Sequence, residues 1–230
     1  MHSIAPPSPL PANFPFPSAI RRTLLRLGLA LLVLTSITSP LKTRAQLILM
    51  SIEGVQNPAS PQVPEFKLKD FIALQSVSFK VDRPDFDPVK AGTADVTLGA
   101  GTLSTVSVTK VLDPTSAVLL RDAFSGNNYT KAVIIHVMMV NVANTTIPVV
   151  YLAHRLENIF VKSWSLSASA DEIPTEELSF FCNRFGIQYR TPTATSKTAP
   201  SPFTGWDAVH ARPWTGIPNL IADDGKPILP

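Results

Sequence analysis

The sequence predicts a mainly β fold with one helix, and two observations support this prediction. Within residues 149–189, Val150, Leu152 and Leu156 share one parity, and alternation with a period of two is the pattern of a strand with one face on a core. Residues 113–126 show helical spacing instead. The chain of 230 residues is long enough for one domain with flanking segments.

Residues 149–189 are predicted to form three successive antiparallel strands. Glu157 and Asn158 are the turn-permissive residues between the first two, which fits either a tight hairpin or one sharply bent strand. Along the third strand the apolar residues change parity. A β-bulge near Asn183 and Arg184 would explain this change, and so would a buried strand that is apolar on both faces.

The helix is predicted to begin at Asp113 and Pro114 and to end at Gly126. Aspartate is a good N-cap, proline suits the first helical position, and glycine readily adopts the left-handed conformation that ends a helix. We expect the helix to be held by an apolar stripe at helical spacing. This stripe consists of Ala117, Leu120, Ala123 and Phe124.

Residues 131–140 are apolar on both faces, so both faces should be covered. The core of the domain covers one face, and the helix or another subunit must cover the second. The candidate subunit-interface residues on this strand are Val133, Ile135 and Val137. His136 is interpreted as a hydrogen-bonded residue of the sheet rather than as a metal ligand.

The charge of the chain is unevenly distributed. Residues 1–45 contain five basic residues and no acidic one, so the rest of the chain carries 15 basic and 17 acidic residues. A nucleic-acid partner would require a basic surface. We therefore predict no nucleic-acid partner.

The sequence predicts a protein that is not an enzyme and has no catalytic, cofactor or metal site. It lacks the G-x-S-x-G, H-E-x-x-H, P-loop and dinucleotide-binding patterns. The acidic pairs 171–172 and 176–177 are interpreted as a solvated rim. Cys182 is the single cysteine, which excludes an internal disulfide, and it is predicted to be a buried apolar residue.

Residues 1–45 are predicted to be a secretory signal peptide. Arg21, Arg22 and Arg26 precede an apolar run at 27–37 that is short for a membrane span. Cleavage is predicted between Ala45 and Gln46, which gives a secreted protein. Two alternatives remain: an uncleaved leader that anchors the chain to the membrane, and translation that starts at Met50.

Four segments resemble the haemolysin-coregulated protein (Hcp) family, the tube proteins of type VI secretion. EELSF at 176–180 and RFGIQY at 184–189 are similar to the closing strand of that family, and LILMSIEGV at 47–55 is similar to its opening strand. LLRDAFSG at 119–126 follows its helix, and GWD at 205–207 occurs near the C-terminus of many members. The order of the segments is also that of the family.

This resemblance implies a squat antiparallel β-barrel with one flanking helix and a long extended loop. It divides the chain into a leader at 1–45, a barrel domain at 46–191 and a Pro-rich C-terminal extension with the GWD segment at 192–230. It also implies that the partners are copies of the chain itself, as hexameric rings that stack into a tube and carry effector proteins. The extended loop corresponds to residues 83–101, and its candidate ring-stacking residues are Arg83, Asp85, Phe86, Asp87, Lys90 and Asp95.

The leader leaves a second function open. Tube proteins of the family normally lack a signal peptide, so the chain could instead be an exported Hcp-like filament or surface-binding protein outside any secretion machine. In the C-terminal extension, Trp206 is expected to dock on the barrel. Trp214 is either a contact residue or part of a tail.

Overall fold

The computed structural model describes residues 46–63, 65–82, 101–142, 145–191 and 200–228. Within these residues lie eleven strands and one helix. They are β1 (Gln46–Ile52), β2 (Ile72–Leu74), β3 (Ser76–Ser78), β4 (Val81–Asp82), β5 (Thr102–Leu103), β6 (Val106–Val111), α1 (Ser116–Ser125), β7 (Asn128–Val142), β8 (Thr145–Ser167), β9 (Thr175–Tyr189), β10 (Thr204–Asp207) and β11 (Arg212–Trp214).

The strands pair in the antiparallel sense, as predicted. The main path of the large sheet is β11-β10-β9-β8-β7-β1-β2, and β6 joins β3 to β9 on the other side. The hydrogen-bonded ladder does not close, because β2 and β3 do not pair with each other. They are two parts of one bent stretch: β2 pairs with β1, and β3 pairs with β6. At the bend, the Gln75 backbone nitrogen donates to the Thr109 oxygen at 2.8 Å. The structure is therefore barrel-like, with its open seam at Gln75.

The structure decides between the alternatives for the central strands. β8 is one bent strand rather than a hairpin, with Asn158 at a φ of 51° and a register shift between Val161 and Ser163. β9 keeps one register with β8 past Asn183, and its buried parity continues to Gln188. The apolar residues of β9 thus occupy both faces without a bulge in that strand.

The helix is present, but it packs by a different face from the predicted one. It begins at Ser116 rather than at Pro114, and its buried residues are Ser116, Leu119 and Asp122. Phe124, a member of the predicted stripe, is 85% exposed. The buried face is largely polar because hydrogen bonds to the sheet hold it. Gly126 ends the helix in the left-handed conformation, as predicted.

Two apolar clusters lie on opposite faces of β7. The inner cluster contains Ala132 and Ile134 together with residues of β1, β2, β6, β8 and β9. The outer cluster contains Val133 and Ile135 and is covered by chain outside these long strands. Both faces of this strand are covered, as the sequence predicts.

Candidate functional site

The three candidate interface residues of β7 are buried within the chain. Val133, Ile135 and Val137 are 4%, 0% and 0% exposed. They lie in the outer cluster with side chains from residues 63–71 and with Leu220 and Ile221. The expectation that another subunit or the helix covers them is therefore corrected: this chain covers them itself.

Residues 200–228, here called the C-terminal segment, form one part of this cover. β10 extends the sheet beside β9 and places Trp206 opposite Phe185, so Trp206 docks on the sheet as expected. β11 returns along β10, and the chain then inserts Leu220 and Ile221 into the outer cluster. These two side chains are 2% and 0% exposed.

Gln188 of β9 holds the C-terminal segment through four hydrogen bonds. Its Oε1 accepts from the backbone nitrogens of Leu220 and Ile221 at 2.6 and 3.0 Å. Its Nε2 donates to the Ser201 oxygen and to Asn219 Oδ1 at 3.0 and 2.9 Å. Because Gln188 is 0% exposed, each bond replaces one that water would otherwise make.

A second contact fixes the end of the C-terminal segment. Arg190 Nη2 donates to the Asp223 oxygen at 2.7 Å, and the Val150 nitrogen donates to the Gly225 oxygen at 2.9 Å. Gly225 has a φ of +81°, and a Cβ there would lie 2.3 Å from Arg190 Nη1 and 2.8 Å from Val149 Cγ1. Only glycine suits this position.

Trp214 is a contact residue rather than part of a free tail. The guanidinium carbons of Arg155 and Arg184 lie 5.8 and 5.9 Å from its ring centroid, within the range of a cation–π interaction. Arg184 also donates to Asp207 Oδ2 at 2.9 Å and to Glu157 Oε2 at 3.2 Å. The GWD segment is thus joined to β8 and β9 by charge as well as by strand pairing.

One of the four residues of the predicted acidic rim is buried. Glu176 is 1% exposed, and its Oε1 lies 2.6 Å from the Nζ of the fully buried Lys110. Glu176 Oε1 also accepts from Ser116 Oγ at 2.8 Å, and its Oε2 accepts from Trp164 Nε1 at 2.7 Å. This network attaches the helix to β6 and β9, which explains why the helix needs no apolar stripe.

The remaining predicted site residues fall at or beyond the borders of the described chain. Arg83, Asp85, Phe86, Asp87, Lys90 and Asp95 lie outside the described residues, and so does Ala45. Gln46 is the first residue of β1. The role of the loop and the cleavage position therefore stay predictions.

Residues of metal-ligating type and the cysteine thiol can be located in the described part of the chain. It contains no group of three or more histidine, cysteine, aspartate or glutamate residues arranged to hold a metal ion. Burial raises the pKa of the Cys182 thiol to about 12, so the thiol stays protonated and unreactive. No helix in the described residues is long and apolar enough to cross a membrane.

Several solved structures share this fold. Hcp1 from Salmonella typhimurium is 16% identical, with a TM-score of 0.54 over 74% of this chain and 99% of that chain. A structure described as a type six secretion system protein is 16% identical, with a TM-score of 0.61 over 74% and 100%. Hcp1 from the E. coli EAEC 042 pathovar is 13% identical, with a TM-score of 0.50 over 71% and 98%. No curated protein sequence matches the chain.

The fold is therefore the mainly β fold of these solved structures. The sequence profile of the family described as "Type VI secretion system effector, Hcp" matches residues 50–189. The chain belongs to the Hcp family. Its members are tube proteins that form ring assemblies and are secreted by the type VI system.

Proposed function

We propose that this chain assembles as a hexameric ring, and that the rings stack into a tube that carries effector proteins. The observation that supports this proposal most directly is the family match over residues 50–189, which includes β7, β8, β9 and the helix. The chain also covers nearly the whole length of the similar solved structures. The subunit contact must lie elsewhere than on the outer cluster, because that face is already covered.

An exposed aromatic pair is the best candidate for the ring contact. Phe160 of β8 and Phe181 of β9 are directly opposite in register and are 37% and 46% exposed. Beside them, hydroxyl side chains form a row across four strands: Ser78, Ser107, Ser179 and Ser163. An apolar centre with a polar, uncharged border is the usual composition of a protein–protein contact.

The ring proposal is tested by the mass of the purified protein in solution. We expect light scattering to give a mass near six protomers for the wild type and a smaller species for Phe160→Asp/Phe181→Ser. The matched control is Phe124→Ser, because Phe124 is more exposed but lies on the helix. A wild-type monomer at high concentration would contradict the ring, and a double variant that is folded by circular dichroism but still hexameric would contradict this contact.

The ring-stacking role of residues 83–101 is supported by a groove of complementary charge. The groove encloses about 360 Å³ between β1, β7 and the chain that leads to β2. Its border is mainly basic: Lys67, Lys69 and Lys131 line it together with Glu53, which lies 3.8 Å from Lys131. Phe71 and Val133 also line it but are almost fully buried. Asp85, Phe86 and Asp87 offer an aromatic side chain between two carboxylates. We assign the groove of one ring as the receptor for this loop of the next ring.

Replacing residues 85–99 with a short Gly/Ser linker separates stacking from folding. Loop length itself has a small effect on stability, about 0.6 kcal/mol for each doubling of length. We therefore expect a nearly unchanged melting temperature, single rings, and no filaments by electron microscopy. Lys67→Glu/Lys69→Glu should also remove the filaments. Filaments in the linker variant would refute the assignment, and unfolding would show that the loop belongs to the core.

Export by a cleaved leader is the second part of the proposal. It is supported by the agreement between the predicted cut after Ala45 and the first strand, which begins at Gln46. N-terminal sequencing of protein from the producing cell should find Gln46 first; Met1 or Met50 would refute it. Secretion that continues without a type VI sheath would favour the alternative of an independently exported filament or surface-binding protein.

A further inference from the structure

Two histidines lie in ring contact inside the sheet. His136 of β7 and His154 of β8 are 9% and 2% exposed. Their ring centroids are 5.2 Å apart, with the rings edge to face. Each follows the parity of the inner cluster, two residues from Ile134 and Leu156 respectively. The pair therefore extends the apolar interior of the sheet.

Aromatic side chains cover this histidine pair. The Phe185 ring stacks on His154 at 5.6 Å, and the Phe79 ring contacts His154 edge-on at 5.5 Å. Phe79 and Phe185 also contact each other at 4.5 Å, and Tyr151 contacts His136 at 5.9 Å. Phe79 is itself 39% exposed, so it forms the boundary between the histidine pair and solvent.

Each imidazole has a buried nitrogen without a hydrogen-bond partner. These atoms are His136 Nε2 and His154 Nδ1, which find no donor or acceptor in the described chain. The interpretation of His136 as a fully hydrogen-bonded residue of the sheet is therefore wrong for this atom. Buried polar atoms are paired in most proteins, so two unpaired nitrogens in neighbouring rings call for a physical account.

The charged groups on the surrounding elements are engaged elsewhere. Lys80, next to Phe79, pairs with Asp82 at 2.7 Å. Arg155 and Arg184, on β8 and β9, pair with Glu157 at 2.7 and 3.2 Å. Tyr151 is the other titratable group in contact, and burial raises its pKa. No described carboxylate is thus placed to neutralise a protonated histidine of this pair.

The titration of the pair follows from this environment. Burial, and to a lesser extent the charge that His136 acquires on protonation, lowers the pKa of His154 to about 3. Burial also lowers the pKa of His136. In an unfolded or opened chain both would titrate near 6.5. The closed state therefore binds fewer protons than the open state. The stability of the closed state relative to the open state is highest above about pH 6.5 and falls as the pH is lowered toward 3.

We propose that the contact between His136 and His154 is acid-sensitive. When the pair takes up protons, the sheet opens at Phe79. One buried imidazolium without a counter-charge is unfavourable, and two in ring contact also repel each other. Moving Phe79 aside admits water to the His154 ring, and the inner cluster, which does not contain Phe79, stays packed. The proposed change is thus a local opening of the sheet at Phe79 rather than global unfolding.

The position of Phe79 gives this opening a consequence for assembly. Phe79 lies two residues before β4, whose last residue is Asp82, and residues 83–101 follow directly. Opening at Phe79 therefore acts next to β4, the strand that leads into the segment that we assign to ring stacking. This consequence rests on the proposed function, whereas the opening itself does not.

The local opening is tested by amide hydrogen exchange of the full chain. Exchange is measured between pH 7.5 and 4 and corrected for the intrinsic exchange rate. Between pH 6 and 4 the opening equilibrium for amides around His136, His154 and Phe79 should rise about tenfold per pH unit for each proton taken up. Amides around Leu119 and Val108 should change much less. In His136→Leu/His154→Phe the rise should disappear.

The matched control is His210→Gln, because His210 is 55% exposed and lies outside the pair. This variant should keep the wild-type pH response. If the double variant does not fold, NMR titration of the two imidazoles in the wild type replaces it. Imidazoles that titrate near 6.5 without local opening would overturn the proposal, and so would a pH response that survives in a folded double variant.

Discussion

The two faces of β7 are covered in different ways. The inner face, with Ile134, packs against the other strands of the curved sheet. The outer face, with Ile135, packs against Leu220, Ile221 and the chain before β2. The inner cluster lies within the residues that match the family, whereas the outer cover extends to residues 220–221, beyond that match. The difference shows that one apolar strand can have a face covered within the family match and a face completed by a segment outside that match.

The largest expected effect comes from the ion pair that attaches the helix over the inner cluster. Lys110→Met leaves Glu176 buried without its cation, and breaking a buried pair by removing one partner costs about 3–5 kcal/mol. We expect a loss of this size in the free energy of unfolding, measured by urea titration at fixed protomer concentration.

Two controls identify the cause of this loss. Lys110→Met/Glu176→Leu should recover most of it, because two apolar side chains need no neutralisation. Lys80→Met removes the exposed pair with Asp82, and it should change stability by less than about 1 kcal/mol. Equal losses in all three variants would contradict the structural role of the Lys110–Glu176 contact.

A smaller effect should separate the outer cover from the inner cluster. Ile134→Ala and Ile221→Ala each remove a fully buried side chain, at a cost of about 2–5 kcal/mol when the whole fold must respond. Because the C-terminal segment can loosen alone, we expect Ile221→Ala to lie at the low end. In Ile221→Ala, the protection of amides against hydrogen exchange should fall in residues 200–228, while the amides of β6 and β9 stay protected. Equal global loss in both variants would show that the two faces fold as one unit.

The smallest effect is expected on the helix. Phe124 lies on the exposed side of the helix, so Phe124→Ser should change the unfolding free energy by no more than about 0.5 kcal/mol. The predicted apolar stripe would instead require a loss of several kcal/mol. Leu119→Ala, on the buried side, is the matched comparison and should cost about 2–5 kcal/mol by the same measurement.

The sequence by itself determined where the helix and the long strands lie, although not how many strands residues 149–189 form. Period-two alternation predicts β8 and β9, the uniformly apolar stretch at 131–140 predicts a strand covered on both sides, and Gly126 marks the end of the helix. These features depend on neighbours in the sequence, where side-chain spacing and backbone preference act directly. The same local segments carry the resemblance to the Hcp family.

The tertiary structure alone decided which residues meet across the fold. Lys110 and Glu176 are 66 positions apart in sequence, and their types alone suit a solvated surface. Gln188 and Leu220 are similarly remote, and so are Phe79 and His154. A charge, an amide or an imidazole has an energy that depends on burial and on its partner, and neither is encoded in local periodicity. The helix face, the covered side of β7 and the histidine pair therefore follow from packing.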